Sequence, residues 1–136
     1  METSTYLARL IGPVLAVIGV SMLLNPGSYL AIATAMLEQP ALLYFAAVVG
    51  LVGGVALVMA HNVWAADWRL ILTLLGWISI VDSASWILLT EQLRALWAPA
   101  LTGAGLPLAG GVIVLLLGAA LCFYGYFATN RIRRHP

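Results

Sequence analysis

Asp82 has the strongest claim to chemistry in this chain, because it is the only charged side chain lodged well inside a long apolar run. Ser79, Ser85 and Trp86 stand three or four residues away, the spacings at which side chains neighbour one another on a helix surface. They make a small polar patch around the carboxyl that could line a narrow pathway. An aspartate near the centre of a membrane helix costs ~2.5–3.5 kcal/mol on insertion scales, so such residues face a bundle interior or a water cavity and mark ion paths, proton relays or buried pairs. A desolvated carboxyl favours its protonated form, which suits a group that takes up and releases a proton or cation. A plainer explanation stands beside this one: a protonated Asp82 hydrogen-bonded to a neighbouring helix, or reaching outward near the end of a tilted span. None of the other apolar runs offers a basic residue at matching depth, so no salt bridge to Asp82 within the chain is expected.

A second constellation is the turn His61-Asn62-Val63-Trp64-Ala65-Ala66-Asp67-Trp68-Arg69. His61 and Asn62 suit the C-terminal carbonyls of the run before it, and Asp67 suits the first amides of the run after it. Trp64 and Trp68 belong at the lipid headgroup level, and Arg69 would meet a lipid phosphate or the Asp67 carboxylate. Interfacial anchoring explains these six side chains; a headgroup, ion-entry or docking site is the sharper alternative. Other chemistry finds no footing. His61 and His135 do not share a site at metal spacing, Cys122 is alone, and no phosphate loop, serine elbow or nucleophile and base pair can be nominated. The expectation is a protein that is not an enzyme, with no catalytic residues, no metal and no cofactor.

The elements that hold these residues are set by composition. Of 136 residues, 63% are hydrophobic and 8% charged, with a net charge of +1 and a mean hydropathy of +1.04; a soluble domain carries about a quarter charged residues. The balance gives no argument for nucleic-acid binding. Apolar runs cover residues 6–24, 41–60, 68–90 and 106–128, each long enough at ~1.5 Å per residue to cross a hydrocarbon core of ~30 Å. Each must be helical, because lipid satisfies no free backbone group and the alternating pattern of a barrel is absent. The expected fold is all-α: a single integral membrane domain over 1–136, built as a four-transmembrane-helix bundle. The first run ends at Asn25-Pro26-Gly27, which reads as a helix stop and makes that run a retained span in place of a cleaved signal. Pro13 falls within it and removes one helix hydrogen bond. Counted from Trp68, Asp82 lies ~21 Å along its helix, past the midplane.

Arg9, Arg69, Arg131, Arg133 and Arg134 fall on one side of this layout and Arg94 on the other, so the positive-inside rule places both termini and the His61 turn in the cytoplasm. The basic tail would rest on anionic headgroups at ~1 kcal/mol per basic residue. Residues 29–33 and 93–97, on the opposite side, are apolar enough for short helices lying on the membrane surface. Arg9-Leu10-Ile11 recurs as Arg69-Leu70-Ile71, Pro40-Ala41-Leu42 as Pro99-Ala100-Leu101, and Gly53-Gly54-Val55 as Gly110-Gly111-Val112. Offsets of about 60 residues would relate two parallel helical-hairpin repeats about an axis along the membrane normal, although short apolar strings also match by chance. Small residues recur at helical spacing in every span, as with Gly12, Ala16 and Gly19 or Gly111, Gly118 and Cys122. Such stripes let helices approach closely, within one chain or between copies.

The segment from His61 to Trp77, with its His-Asn-x-Trp turn followed by Asp-Trp-Arg, Thr73 and Gly76-Trp77, resembles small bacterial inner-membrane proteins of four helices and unassigned function. The resemblance covers residues 61–77 closely and the four-span layout loosely. It implies a bacterial inner membrane, a multi-pass topology and a cytoplasmic turn, transfers no activity, and does not reach Asp82. The function expected from all this is a homo-oligomeric transport or channel-like unit using Asp82. The rival is a non-catalytic accessory or scaffold subunit that binds a larger membrane complex through its small-residue faces and its Trp-rich turn. Membrane lipids, copies of the same chain or a larger membrane complex are the expected partners, and nucleic acid is not.

Overall fold

A computed structural model describes residues 2–128, and helices occupy nearly all of them. The order is α1 Glu2–Leu24, α2 Pro26–Glu38, α3 Pro40–Ala60, α4 Arg69–Leu88, α5 Thr90–Trp97, a 3₁₀ turn Ala98–Thr102, and α6 Gly105–Cys122, whose last stretch Phe123–Ala128 winds as π-helix. Four of these are long and apolar enough to span a membrane: Thr3–Leu24, Pro40–Ala60, Arg69–Leu88 and Gly105–Phe127. They coincide with the four expected runs, with shifted ends. This is an all-α, multi-pass membrane protein.

Local chemistry explains where the helices break. Pro26 and Pro40 begin α2 and α3, the position at which a missing N–H costs nothing and φ is already helical. The stop at Asn25-Pro26 is therefore real, but the chain re-enters helix at once: the surface helix expected over 29–33 extends to Pro26–Glu38, and that over 93–97 to Thr90–Trp97. α3 ends at His61, which turns to extended backbone while its N–H caps the Leu57 carbonyl.

The four spans associate as two close pairs. α1 runs antiparallel along α6, with Gly12 against Cys122, Gly19 against Leu115 and Gly111 against Leu23. A Cβ on Gly118 would collide with the Ala16 backbone, so a larger residue there would push the helices apart. α3 runs antiparallel along α4, with Gly50 against Ser83 and Gly54 against Gly76. The small residues at these positions are thus occupied inside the molecule. α1 pairs with α6 and α3 with α4, a partnering that parallel repeats permit. The pairs join mainly at one end, where Ala8, Leu72 and Leu121 are fully buried beside Ile11, Trp68 and Leu75. This end, which also holds residues 61–68, is called the turn end below. Elsewhere the molecule faces outward: only 17–22% of the most apolar window of each span is buried, as suits a chain whose solvent is lipid.

Candidate functional site

The turn end holds a hydrogen-bonded knot. His61 is 3% exposed and Ser4 of α1 is 4% exposed. His61 Nε2 lies 3.2 Å from the Arg69 carbonyl; a carbonyl only accepts, so this nitrogen carries the proton. Nδ1 lies 3.1 Å from the Ser4 hydroxyl and shares a hydrogen bond with it. One imidazole therefore ties α1, the end of α3 and the start of α4 together. The hydroxyl and imidazole are the atoms of a nucleophile and base, a pair not evident in the sequence. Both residues are more than nine-tenths buried, so Ser4 Oγ offers no approach to a substrate in this conformation.

The rest of the turn is held as firmly. Thr73, fully buried, donates its hydroxyl proton to the Val63 carbonyl at 3.0 Å and accepts from the Val63 N–H at 3.1 Å. Asp67 Oδ1 accepts the Arg69 N–H at 2.9 Å, as expected for a residue that closes the first turn of α4. The Arg69 guanidinium meets Asp67 Oδ2 at 2.7 Å. Those side-chain hydrogen bonds, then the backbone one, hold the Asp67 carboxyl below the usual carboxylate range. Asn62 differs from its expected role: its side chain accepts from Trp64 Nε1 at 2.7 Å and does not cap α3. His61 likewise caps through its backbone, while its ring reaches across to α1 and α4. Trp68 stacks on Tyr124 with centroids 5.7 Å apart, and Trp64 is 65% exposed. Trp77 is exposed on α4.

A clasp beside the knot joins α1 to the π-helical end of α6. Pro13 has no N–H for the Arg9 carbonyl one turn before it, and the Tyr126 hydroxyl donates to that carbonyl at 3.2 Å. Arg9 Nε in turn donates to the Gly125 carbonyl at 2.7 Å, and its guanidinium carbon lies 5.6 Å from the centre of the Tyr126 ring. Ser4, Tyr124 and Tyr126 were not singled out by the sequence. The one usable signal was the bond that Pro13 removes, which requires a donor from elsewhere.

Around Asp82 the structure disperses the expected patch. Ser79 turns into the α3 contact and donates to the Gly50 carbonyl at 2.9 Å. Ser85 donates back to the Val81 carbonyl of its own helix at 2.7 Å. Trp86 faces an apolar cavity of about 230 Å³ at the end opposite the turn. Asp82 itself is exposed on the outside of the bundle, flanked by Ile78 and Val81, each 62% exposed. Among the described residues no hydrogen bond or ion pair reaches it. It lies ~20 Å along α4 from Arg69 and ~9 Å from the Leu88 end, well within the span. The helix rotation that puts Ser79 and Ser83 on α3 turns Asp82 away from it.

No group of three or more metal-ligating side chains occurs among the described residues. Arg131, Arg133, Arg134 and His135 lie outside them. The fold and these sites define the class: a multi-pass membrane protein of four apolar spanning helices. Comparison with family models, with curated proteins and with solved structures returns no match to this chain.

Proposed function

We propose that this chain is a homo-oligomeric transport or channel-like unit of a bacterial inner membrane, with Asp82 as its proton or cation group. The observation that carries the reading is the place of Asp82: within the span, outward-facing and unpartnered among the described residues. Left in lipid it costs ~2.5–3.5 kcal/mol, and a second protein surface that covers it removes that cost. Three arginines are engaged elsewhere: Arg69 on Asp67, Arg94 on Glu91 and Arg9 on the Gly125 carbonyl. Copies meeting through this face would bring acid to acid, an arrangement that needs a cation, protons or water between them. The path would then run between copies, which agrees with a monomer whose interior contacts are closed by glycine and serine.

Reconstituted in liposomes, the wild-type protein should give a pH-dependent proton or cation flux, and Asp82→Asn should lose it. Flux that survives in Asp82→Asn overturns the reading. One observation favours the accessory-subunit alternative: Trp64 stands 65% exposed at the turn end, where another membrane protein could dock. A basic residue of that protein would pair with Asp82. Recovery of a stable heteromeric complex from native membranes supports this alternative, and recovery of homo-oligomers alone counts against it.

A further inference from the structure

The apolar cavity at the end opposite the turn takes no part in the reading above. It measures about 230 Å³ and is lined by Ala33 and Met36 of α2, Leu43 of α3, Trp86 of α4, and Trp97 and Leu101 at and beyond the end of α5. We propose that it holds one acyl chain of a phospholipid. The volume is below the ~300–1,000 Å³ of pockets that enclose a whole small ligand, so the cavity suits part of a longer molecule. A helix of another chain, ~10–12 Å across with its side chains, does not fit. Water needs two to four polar partners to occupy such a space, and this lining supplies only the edges of two indoles.

Position selects the ligand. Trp86 is two residues from the end of α4, so the cavity lies at the boundary between hydrocarbon and headgroups, the level that tryptophan favours. Arg94 precedes Trp97 by three residues on α5, the spacing of neighbours on one helix face, and it is the only basic residue at that end among the described ones. Its ion pair with Glu91 spans 3.3 Å, and the Glu91 side chain is 78% exposed. A pair this solvated is readily exchanged for a lipid phosphate. Chain in the cavity and phosphate at Arg94 together describe one phospholipid.

The test uses the full chain extracted in mild detergent. Native mass spectrometry should show one phospholipid retained per chain. Ala33→Phe and Leu101→Phe, which fill the cavity, should lower that retention at least about tenfold, the equivalent of two buried methylenes. Ala56→Phe, on the exposed face of α3 near the turn end, should leave it unchanged. A second measurement needs no filled variant. In protein carrying Trp64→Phe, Trp68→Phe and Trp77→Phe, added phospholipid with brominated acyl chains should quench Trp86 and Trp97 saturably, at one equivalent. Equal retention in all variants, quenching that rises linearly without saturation, or another protein chain bound in place of lipid overturns the proposal.

Discussion

Thr73 shows how much a single hydroxyl organises in this molecule. It closes both polar groups of Val63, donor to one and acceptor from the other, in the connection between α3 and α4, which holds no helix. Thr73→Val keeps the shape and removes both bonds, so it should destabilise the protein by about 1–3 kcal/mol. Thr73→Ser keeps the hydroxyl and loses one methyl, worth ~0.8 kcal/mol. Denaturant unfolding in mixed micelles should therefore rank serine above valine, and the opposite order would remove the hydroxyl from its role. Legibility at this scale follows sequence distance. The Asp67–Arg69 pair is local and could be read from spacing, whereas the partner of His61 is Ser4, 57 positions away, and nothing in either segment announces the other. For Asp82, the sequence shows its depth but not its direction. Which face of α4 points inward depends on the fit of Ser79 and Ser83 to Gly50, a match between two helices that neither states alone.

The spans themselves were legible because a long apolar run has one solution in lipid, and the ends were legible where proline stands at a helix start. Helix partners were not. Every span carries small residues, so a stripe says that a close contact exists without saying with which neighbour; here α1 chose α6 and α3 chose α4. The π-helical end of α6 was equally hidden, although one hydrogen bond it makes has its reason in α1. Pro13 leaves the Arg9 carbonyl without its helix donor, and Tyr126 supplies one from across the interface. This account is tested by a double-mutant cycle. Tyr126→Phe should cost about 1 kcal/mol in the native background. In Pro13→Ala it should cost less, because the alanine N–H then takes the Arg9 carbonyl. A coupling of at least ~0.5 kcal/mol is expected for groups that share one acceptor, and additive costs would show that the hydroxyl and the proline are unrelated.

At the scale of the whole molecule, the two ends of the bundle differ in kind. The turn end is tied by side-chain hydrogen bonds and joins the helix pairs, while the other end is covered by α2 and α5 and keeps an apolar cavity. α1 starts and α6 finishes at the turn end, so both ends of the described chain lie on one side. Arg9 and Arg69 stand there and Arg94 stands opposite, and Arg131, Arg133 and Arg134 follow α6 in the sequence. By the positive-inside rule we propose that the turn end faces the cytoplasm, which would set Asp82 nearer the outer surface. In a Cys122→Ala background, an impermeant maleimide should label Ser28→Cys in intact cells and Trp64→Cys only after permeabilisation. Both native residues are exposed, so access and not burial decides the outcome. The reverse pattern would invert the molecule, put the Asp82 end of α4 toward the cytoplasm, and reverse the direction from which a proton or cation first meets the carboxyl.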